Sequence, residues 1–261
     1  MFKDRLLKNE ILLGSWITLA HPSIAEILAS AGYDWLVVDM EHTTISISDV
    51  GELIRVIELS GVPSLVRLTN NDENLIKRVL DAGAHGIIVP MVNNSNEAKK
   101  AVEACRYPPL GTRGVGLSRA QEYGVSFKEH LSWQSDMDTG PIVIVQIEHI
   151  DAIDNLKEIL SVPGVDAFIV GPYDLSCSML LPGQFKHAEF KKIMKKITNI
   201  SNDVNSTSGF HVVEPNIESL EDTIELGYKF IAYSADIRML DVSARAVASK
   251  IMNMQRKSTI I

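Results

Sequence analysis

Gly32-Tyr-Asp-Trp35-Leu-Val-Val-Asp39-Met-Glu-His42 is the stretch on which the fold turns. A glycine closes a helical run, four bulky apolar residues form a short strand, and charged residues follow at once. Short apolar runs of this kind, rich in Val and Ile, mark strands buried on both faces of a parallel sheet. The pattern recurs along the chain. Strands are predicted near 12–18, 35–39, 64–68, 86–90, 142–147, 166–170, 209–213 and 229–233. Each is followed by a helical period, near 22–31, 48–60, 72–82, 95–105, 150–160, 187–204, 217–226 and 237–255. Start signals stand at His21-Pro22, Asp72-Glu73, Asn94-Ser95 and Asn216, and Gly32, Gly61, Gly83 and Gly227 close helices. Eight strand-helix units that close on themselves predict an α/β fold, a (β/α)8 TIM barrel, over a doubly wound open sheet. No Gly-rich phosphate loop follows a strand, since Gly111-Thr-Arg-Gly-Val-Gly116 comes after the Pro108-Pro109 break.

With 261 residues, 46% of them hydrophobic, the chain can bury one large core, and a single barrel domain over 1–261 is expected. The net charge of −8 argues against a nucleic-acid surface, which needs clustered basic residues. Lys191, Lys192, Lys195 and Lys196 lie opposite Ile193, Met194 and Ile197, as on a solvated helix face. The only cysteines, Cys105 and Cys177, lack metal-ligand spacing and fit a reducing compartment. The charges in Met-Phe-Lys-Asp-Arg-Leu-Leu-Lys interrupt any signal-peptide core, and no run reaches the roughly 20 apolar residues of a membrane span. A cytoplasmic protein without membrane contact is expected. The segment 106–140 is the one long insertion; it is expected to lie over the pocket as a lid or binding element, with a short helix around 126–135.

In a barrel, functional side chains gather at the C-terminal ends of the strands. Asp39-Met-Glu41-His42 stands there after the second strand, Arg67 at the end of the third, Gln146-Ile-Glu148-His149 on the fifth, and Gly171-Pro-Tyr173-Asp174 after the sixth. Gln146 and Glu148 are two apart on an alternating strand and so face one side. With Asp174 just after the next strand, Glu148 could form a hard oxygen site for Mg²⁺ or Mn²⁺; alternatively Glu148 caps a helix and Asp174 makes a turn. His42 is either a general base or a solvent-facing loop residue, and Asp39 or Glu41 could accept its second N–H. Arg67 could stabilise an oxyanion or form a buried ion pair with a mouth carboxylate. His85, between a helix end and a strand start, reads as structural, whereas His21 and His211 could line the pocket. No strand ends in a lysine, so Schiff-base chemistry has no amine, and carbon–carbon bond chemistry on a keto acid would need a metal as electron sink.

These segments together resemble the HpcH/HpaI aldolases, which share their barrel with phosphoenolpyruvate- and pyruvate-binding enzymes. The resemblance rests on 31–42, Val66-Arg67, Leu80-Asp81-Ala-Gly83 with 87–92, Arg106-Tyr-Pro-Pro with 111–116, Val145-Gln-Ile-Glu148 and 168–176, in one order over about residues 10–240. It implies a class II aldolase that cleaves or forms 4-hydroxy-2-keto acids through a pyruvate enolate, releasing pyruvate and an aldehyde. It further implies that Glu148 and Asp174 hold a divalent ion (Mg²⁺, Mn²⁺ or Co²⁺), and that Gln146 and the backbone near Tyr173 hold the 2-keto acid. His42 would be the base, tuned by Asp81 with Asp39 as second candidate, and Arg67 would stabilise the enolate. A homo-oligomer, a hexamer built as a trimer of dimers with helix 237–255 packed on a neighbour, is also implied. Gly116-Leu-Ser-Arg-Ala-Gln-Glu-Tyr-Gly124, His149 and Phe210-His-Val-Val213 depart from the family pattern, the first expected to line the aldehyde pocket. Competing readings are a lyase acting on a coenzyme A thioester, like citrate lyase β-subunits, and a non-catalytic keto-acid-binding protein.

Overall fold

In the computed structural model, which describes residues 2–134 and 139–258, the eight apolar runs pair edge to edge as parallel strands. They are β1 (Leu12–Ile17), β2 (Trp35–Asp39), β3 (Ser64–Arg67), β4 (Gly86–Val89), β5 (Ile142–Ile147), β6 (Ala167–Val170), β7 (Thr207–Val212) and β8 (Phe230–Ala235). Each pairs with its successor in the chain, and β8 returns to β1, closing the barrel. The helices are α1 (Phe2–Leu7), α2 (Pro22–Ser30), α3 (Ile47–Leu59), α4 (Glu73–Asp81), α5 (Ser95–Cys105), α6 (Phe127–Gln134), α7 (Ile150–Asp154), α8 (Leu156–Leu160), α9 (Pro172–Ser178), α10 (Ala188–Asp203), α11 (Ile217–Glu225) and α12 (Asp236–Ser258), with a 3-10 turn at Arg119–Gly124. No described helix is long and apolar enough to cross a membrane.

Alternation along the strands sorts side chains into two cores. Trp16, Trp35, Val37, Leu65, Ile88, Ile142, Ile144, Ala167, Ile169 and Phe230 fill the barrel. Leu36, Val38, Val66, Ile87, Val143, Val145, Phe168 and Val170 point outward against helix residues such as Leu53, Ile57, Ile76 and Val79. The inward parity continues to the strand ends, and this brings Asp39, Arg67, Gln146 and His211 to the C-terminal mouth. Room inside is made by glycine: a Cβ on Gly14 would stand 2.1 Å from the Trp35 ring, which stacks on Phe230 at 4.1 Å.

The helix signals act as the sequence suggests. His21 accepts from Ser23 N–H, Asp72 from Leu75, Asn94 from Glu97 and Asn216 from Ser219. Gly83 follows α4 at φ 103°, a conformation that an L side chain resists. At the closing seam both carboxylate oxygens of Asp236 accept from Thr18 N–H, and one also accepts from Leu19 N–H, tying the end of β1 to the start of α12.

Several expectations are corrected. Helix α1 is additional to the eight expected helices; its neighbour in the packing is the barrel interior, which Leu6 joins, and its Lys3 is buried against Asp166 at 3.0 Å, so it plugs the N-terminal end. The run 150–160 is two short helices meeting at Asn155, whose side-chain amide donates to Asn93 O. Helix α9 is a second addition. The described part of 106–140 is not a lid on the mouth. It leaves the end of a helix, not of a strand, so it starts at the opposite end of the barrel. There Arg119 donates to Ala82 O and pairs with Glu58, and Arg113 pairs with Asp81 at 2.6 Å. The expected short helix is α6, and Ser135, its expected last residue, lies outside the described residues. Helix α12 leaves Ile237, Leu240, Val247 and Ile251 exposed.

Gly14→Ala is expected to lower the unfolding free energy by about 1–3 kcal/mol through overpacking. Gly51→Ala, in α3 where the added methyl would meet nothing within 4 Å, should raise it by roughly 0.5–1 kcal/mol. Urea denaturation of both variants checks the opposite signs.

Candidate active site

Strand register builds the first part of the mouth. Asp39 and Arg67 are direct neighbours across the β2–β3 ladder. Arg67 Nε donates to Asp39 Oδ1 at 2.8 Å and Nη2 to Oδ2 at 2.6 Å, a bidentate grip, while Nη1 lies 3.2 Å from Glu41 Oε2. The guanidinium also stacks over the Trp16 ring at 4.3 Å. Arg67 is thus held on one side by two carboxylates and on another by an aromatic face.

The fifth strand builds the second part. Gln146 and Glu148 do share a side: Gln146 Nε2 donates to Glu148 Oε2. Glu148 Oε1 accepts from Met91 N–H at 2.7 Å. Met91 takes φ 53°, a strained conformation for a non-glycine residue, and this turn after β4 delivers its amide. Backbone at Gly171 passes so close that a Cβ there would stand 2.7 Å from Glu148 Oε2. The neighbouring Asp174 is exposed, in the first turn of α9.

Glu148 is 2% exposed, and burial pushes its pKa up to about 7, with the charges of Glu41 and Asp174 adding to the rise against its two hydrogen bonds. Burial likewise pushes Glu41 up to about 7, opposed by Arg67 and reinforced by Asp39 and Asp174. Four carboxylates, Asp39, Glu41, Glu148 and Asp174, thus stand around one guanidinium, that of Arg67. The Oε1 of Gln146 is buried and has no hydrogen-bond partner among the described residues. An excess of carboxylate oxygen with a spare amide oxygen suits a hard divalent cation, and Glu148 and Asp174 are the carboxylates not bonded to Arg67. No group of three or more His, Cys, Asp or Glu side chains that could hold a metal occurs among the described residues. Such an ion would thus be held by two carboxylates, with water or substrate oxygens completing its shell, as is usual for Mg²⁺.

A cavity of about 150 Å³ opens at this mouth, lined among others by Trp16, His42, Arg67, Gln146, Tyr173, Asp174 and His211. The structure thus brings together most of the residues singled out from the sequence. Asp81 is the exception. It sits at the end of α4, paired with Arg113 at the opposite end of the barrel, and within one chain it does not reach His42. No hydrogen bond joins Asp39 to His42 among the described residues; both Asp39 oxygens accept from Arg67. His42 is exposed. His85 is structural, its Nδ1 3.3 Å from Ser64 N, and burial lowers its pKa. His21 is a helix cap, and His149 caps α7 by accepting from Asp151 N–H. Sequence reasoning missed Trp16 and the Met91 amide; the inward parity of Trp16 on β1 was a readable signal, but a backbone amide leaves none. A larger cavity, about 510 Å³, lies at the far end beside Arg119, His85 and Trp133.

Residues 12–241 match the model of the family described as HpcH/HpaI aldolase/citrate lyase. A 2-keto-3-deoxy-L-rhamnonate aldolase of Escherichia coli is 34% identical over 237 residues, covering 90% of this chain and 86% of that protein. A hydroxypyruvate/pyruvate aldolase of Roseobacter denitrificans is 34% identical over 250 residues, 95% and 96% of the two chains. The crystal structure of an HpcH/HpaI aldolase/citrate lyase family protein from Burkholderia cenocepacia superposes with a TM-score of 0.89 at 32% identity, covering 96% and 98%.

Because Glu148 has a folded pKa near 7 against an ordinary value of 4.5, the folded metal-free protein binds more protons than the unfolded chain between those values. Its stability should therefore fall as pH rises from about 4.5 to 7. Glu148→Gln should flatten that slope, as read from urea melts in EDTA at several pH values.

Proposed function

The chain belongs to the HpcH/HpaI aldolase/citrate lyase family and is a carbon–carbon lyase of the aldolase type, and on that premise we propose a divalent-metal-dependent enzyme that cleaves or forms 4-hydroxy-2-keto acids through a pyruvate enolate. The observation that carries this reading is the charge imbalance at the mouth: Glu41, Glu148 and Asp174 face one another, and Arg67 is already bonded to Asp39. A divalent ion held by Glu148 and Asp174 would act as a Lewis acid on the keto oxygen, which makes the methyl protons of pyruvate acidic enough to remove.

The chain's own residues supply the rest. His42 lines the same cavity and is free of any described hydrogen bond, so its imidazole can take a proton from the methyl carbon or return one to it. Arg67 presents a fixed positive charge toward the developing enolate oxygen, and its locked position means little reorganisation during reaction. Gln146, braced against Glu148, orients the keto acid from below. Retro-cleavage runs in reverse order: a base draws the 4-hydroxyl proton, the C3–C4 bond breaks, the aldehyde leaves, and the enolate is protonated to pyruvate. Among the described residues no strand carries a lysine and none lines the mouth cavity, which argues against an imine route.

Exchange of pyruvate methyl protons in deuterated water, followed by NMR, tests this directly. Exchange should require Mg²⁺, Mn²⁺ or Co²⁺, stop on EDTA treatment and resume on metal addition. His42→Ala should slow it by about 10²–10⁴-fold. Exchange that survives thorough metal removal would contradict the reading.

A further inference from the structure

The inward parity of β7 places His211 in the mouth cavity beside Trp16, with ring centroids 5.1 Å apart. Its Nε2 lies 3.3 Å from the carbonyl oxygen of Ser234. A carbonyl oxygen only accepts, so this contact requires the proton on Nε2. In a neutral imidazole Nδ1 then carries a lone pair, and no described residue hydrogen-bonds it. Neutrality is enforced by the surroundings: burial, helped by the nearby Arg67 charge, lowers the pKa of His211 to about 3 against the opposing effects of the Ser234 bond and Asp39.

The direction of the Ser234 carbonyl is itself built in. Ser234 adopts φ 53° in β8, where the β1–β8 register shifts between the partners of Gly14 and Trp16. A left-handed serine in a bulge is an uncommon arrangement, and it aims a backbone acceptor at the one ring that reaches into the cavity from β7. His211 is thereby fixed both in position and in tautomer.

Charge in the same cavity decides which ligand such an acceptor suits. Among the described residues Arg67 is the only lysine or arginine lining it, and both of its bonded partners are carboxylates. A second carboxylate on the aldehyde half of a substrate would find no spare lysine or arginine among the described residues that line the cavity. A hydroxyl, in contrast, can donate to Nδ1 with no charge to balance.

Resting on the aldolase reading above, we propose that His211 is a specificity-determining residue that selects a neutral hydroxyaldehyde as the aldehyde half, its hydroxyl donating to Nδ1, over hydroxyl-free or carboxylate-ended aldehydes. The Trp16 face and Val213 offer apolar contact for the carbons of that half. His211 does not take part in proton transfer, since its Nε2–H is committed to Ser234 and its ring resists protonation.

The test compares kcat/KM for retro-cleavage of three 4-hydroxy-2-keto acids, the adducts of pyruvate with glyceraldehyde, propanal and succinic semialdehyde. The native enzyme should favour the glyceraldehyde adduct over the propanal adduct by about three- to tenfold, the effect of one neutral hydrogen bond. It should disfavour the semialdehyde adduct more strongly. His211→Leu should bring the glyceraldehyde-to-propanal ratio near one, and His211→Asn, whose amide oxygen again offers an acceptor, should restore part of it. An unchanged ratio in His211→Leu, or a native preference for the semialdehyde or propanal adduct, overturns the proposal. Pyruvate methyl exchange by the native enzyme separates the two levels. Exchange without the predicted preference removes only the role of His211, whereas absence of metal-dependent exchange removes the aldolase mechanism as well.

Discussion

The bidentate pair between Arg67 and Asp39 is the interaction on which the rest of the mouth depends. It forms because the two residues are register neighbours on adjacent strands and both have inward parity. By taking up one carboxylate fully and a second, Glu41, in part, it commits the only lysine or arginine that lines the cavity among the described residues. Glu148 is then left buried beside Asp174 with hydrogen bonds but no side-chain cation paired to it, and burial raises its pKa. Removing charge from water is expensive unless it is paired, so a site of this kind either holds protons or holds a cation. The same pair keeps the guanidinium stacked on Trp16, and the Arg67 charge contributes to keeping His211 neutral.

Much of this is legible in the sequence because period-two alternation is strict in a closed barrel. Once strands are drawn near 35–39, 64–68 and 142–147, the inward position of Asp39, Arg67, Gln146 and Glu148 follows. The four helix caps are equally readable, since Asp72, Asn94 and Asn216 carry side-chain acceptors and His21 does the same with its ring. The partner of Asp39 is not fixed by this route: as a residue type it could hold His42, but register gives it to Arg67. Composition and length suggest a lid at 106–140, yet the position of that segment after a helix assigns it to the far end of the barrel. The expected role of Asp81 fails within one chain for the same reason, since α4 runs antiparallel to the strands and ends beside Arg113. The Met91 amide on Glu148 depends on a left-handed turn that no residue type announces.

The two ends of the barrel thus divide the work in the usual way for this architecture. At the N-terminal end α1 and the pair of Lys3 with Asp166 close the barrel, and the ion pairs of Arg113 and Arg119 fasten the 106–140 segment to α4 and α3. At the C-terminal end charges are left unbalanced and the backbone is strained at Met91 and Ser234. Similarity to named aldolases fixes the class of reaction, while His211 and the shortage of cations bear on what the enzyme accepts beyond its keto-acid half.

Whether the mouth seats one divalent cation is decided by calorimetric titration of metal-free protein with Mn²⁺ near pH 6 in buffers of different ionisation enthalpy. One site per chain is expected, with proton release on binding because Glu148 must ionise, and with loss of the site in both Glu148→Gln and Asp174→Asn. Native protein that binds no Mn²⁺ at millimolar concentration, or variants that bind it as the native protein does, would contradict this expectation.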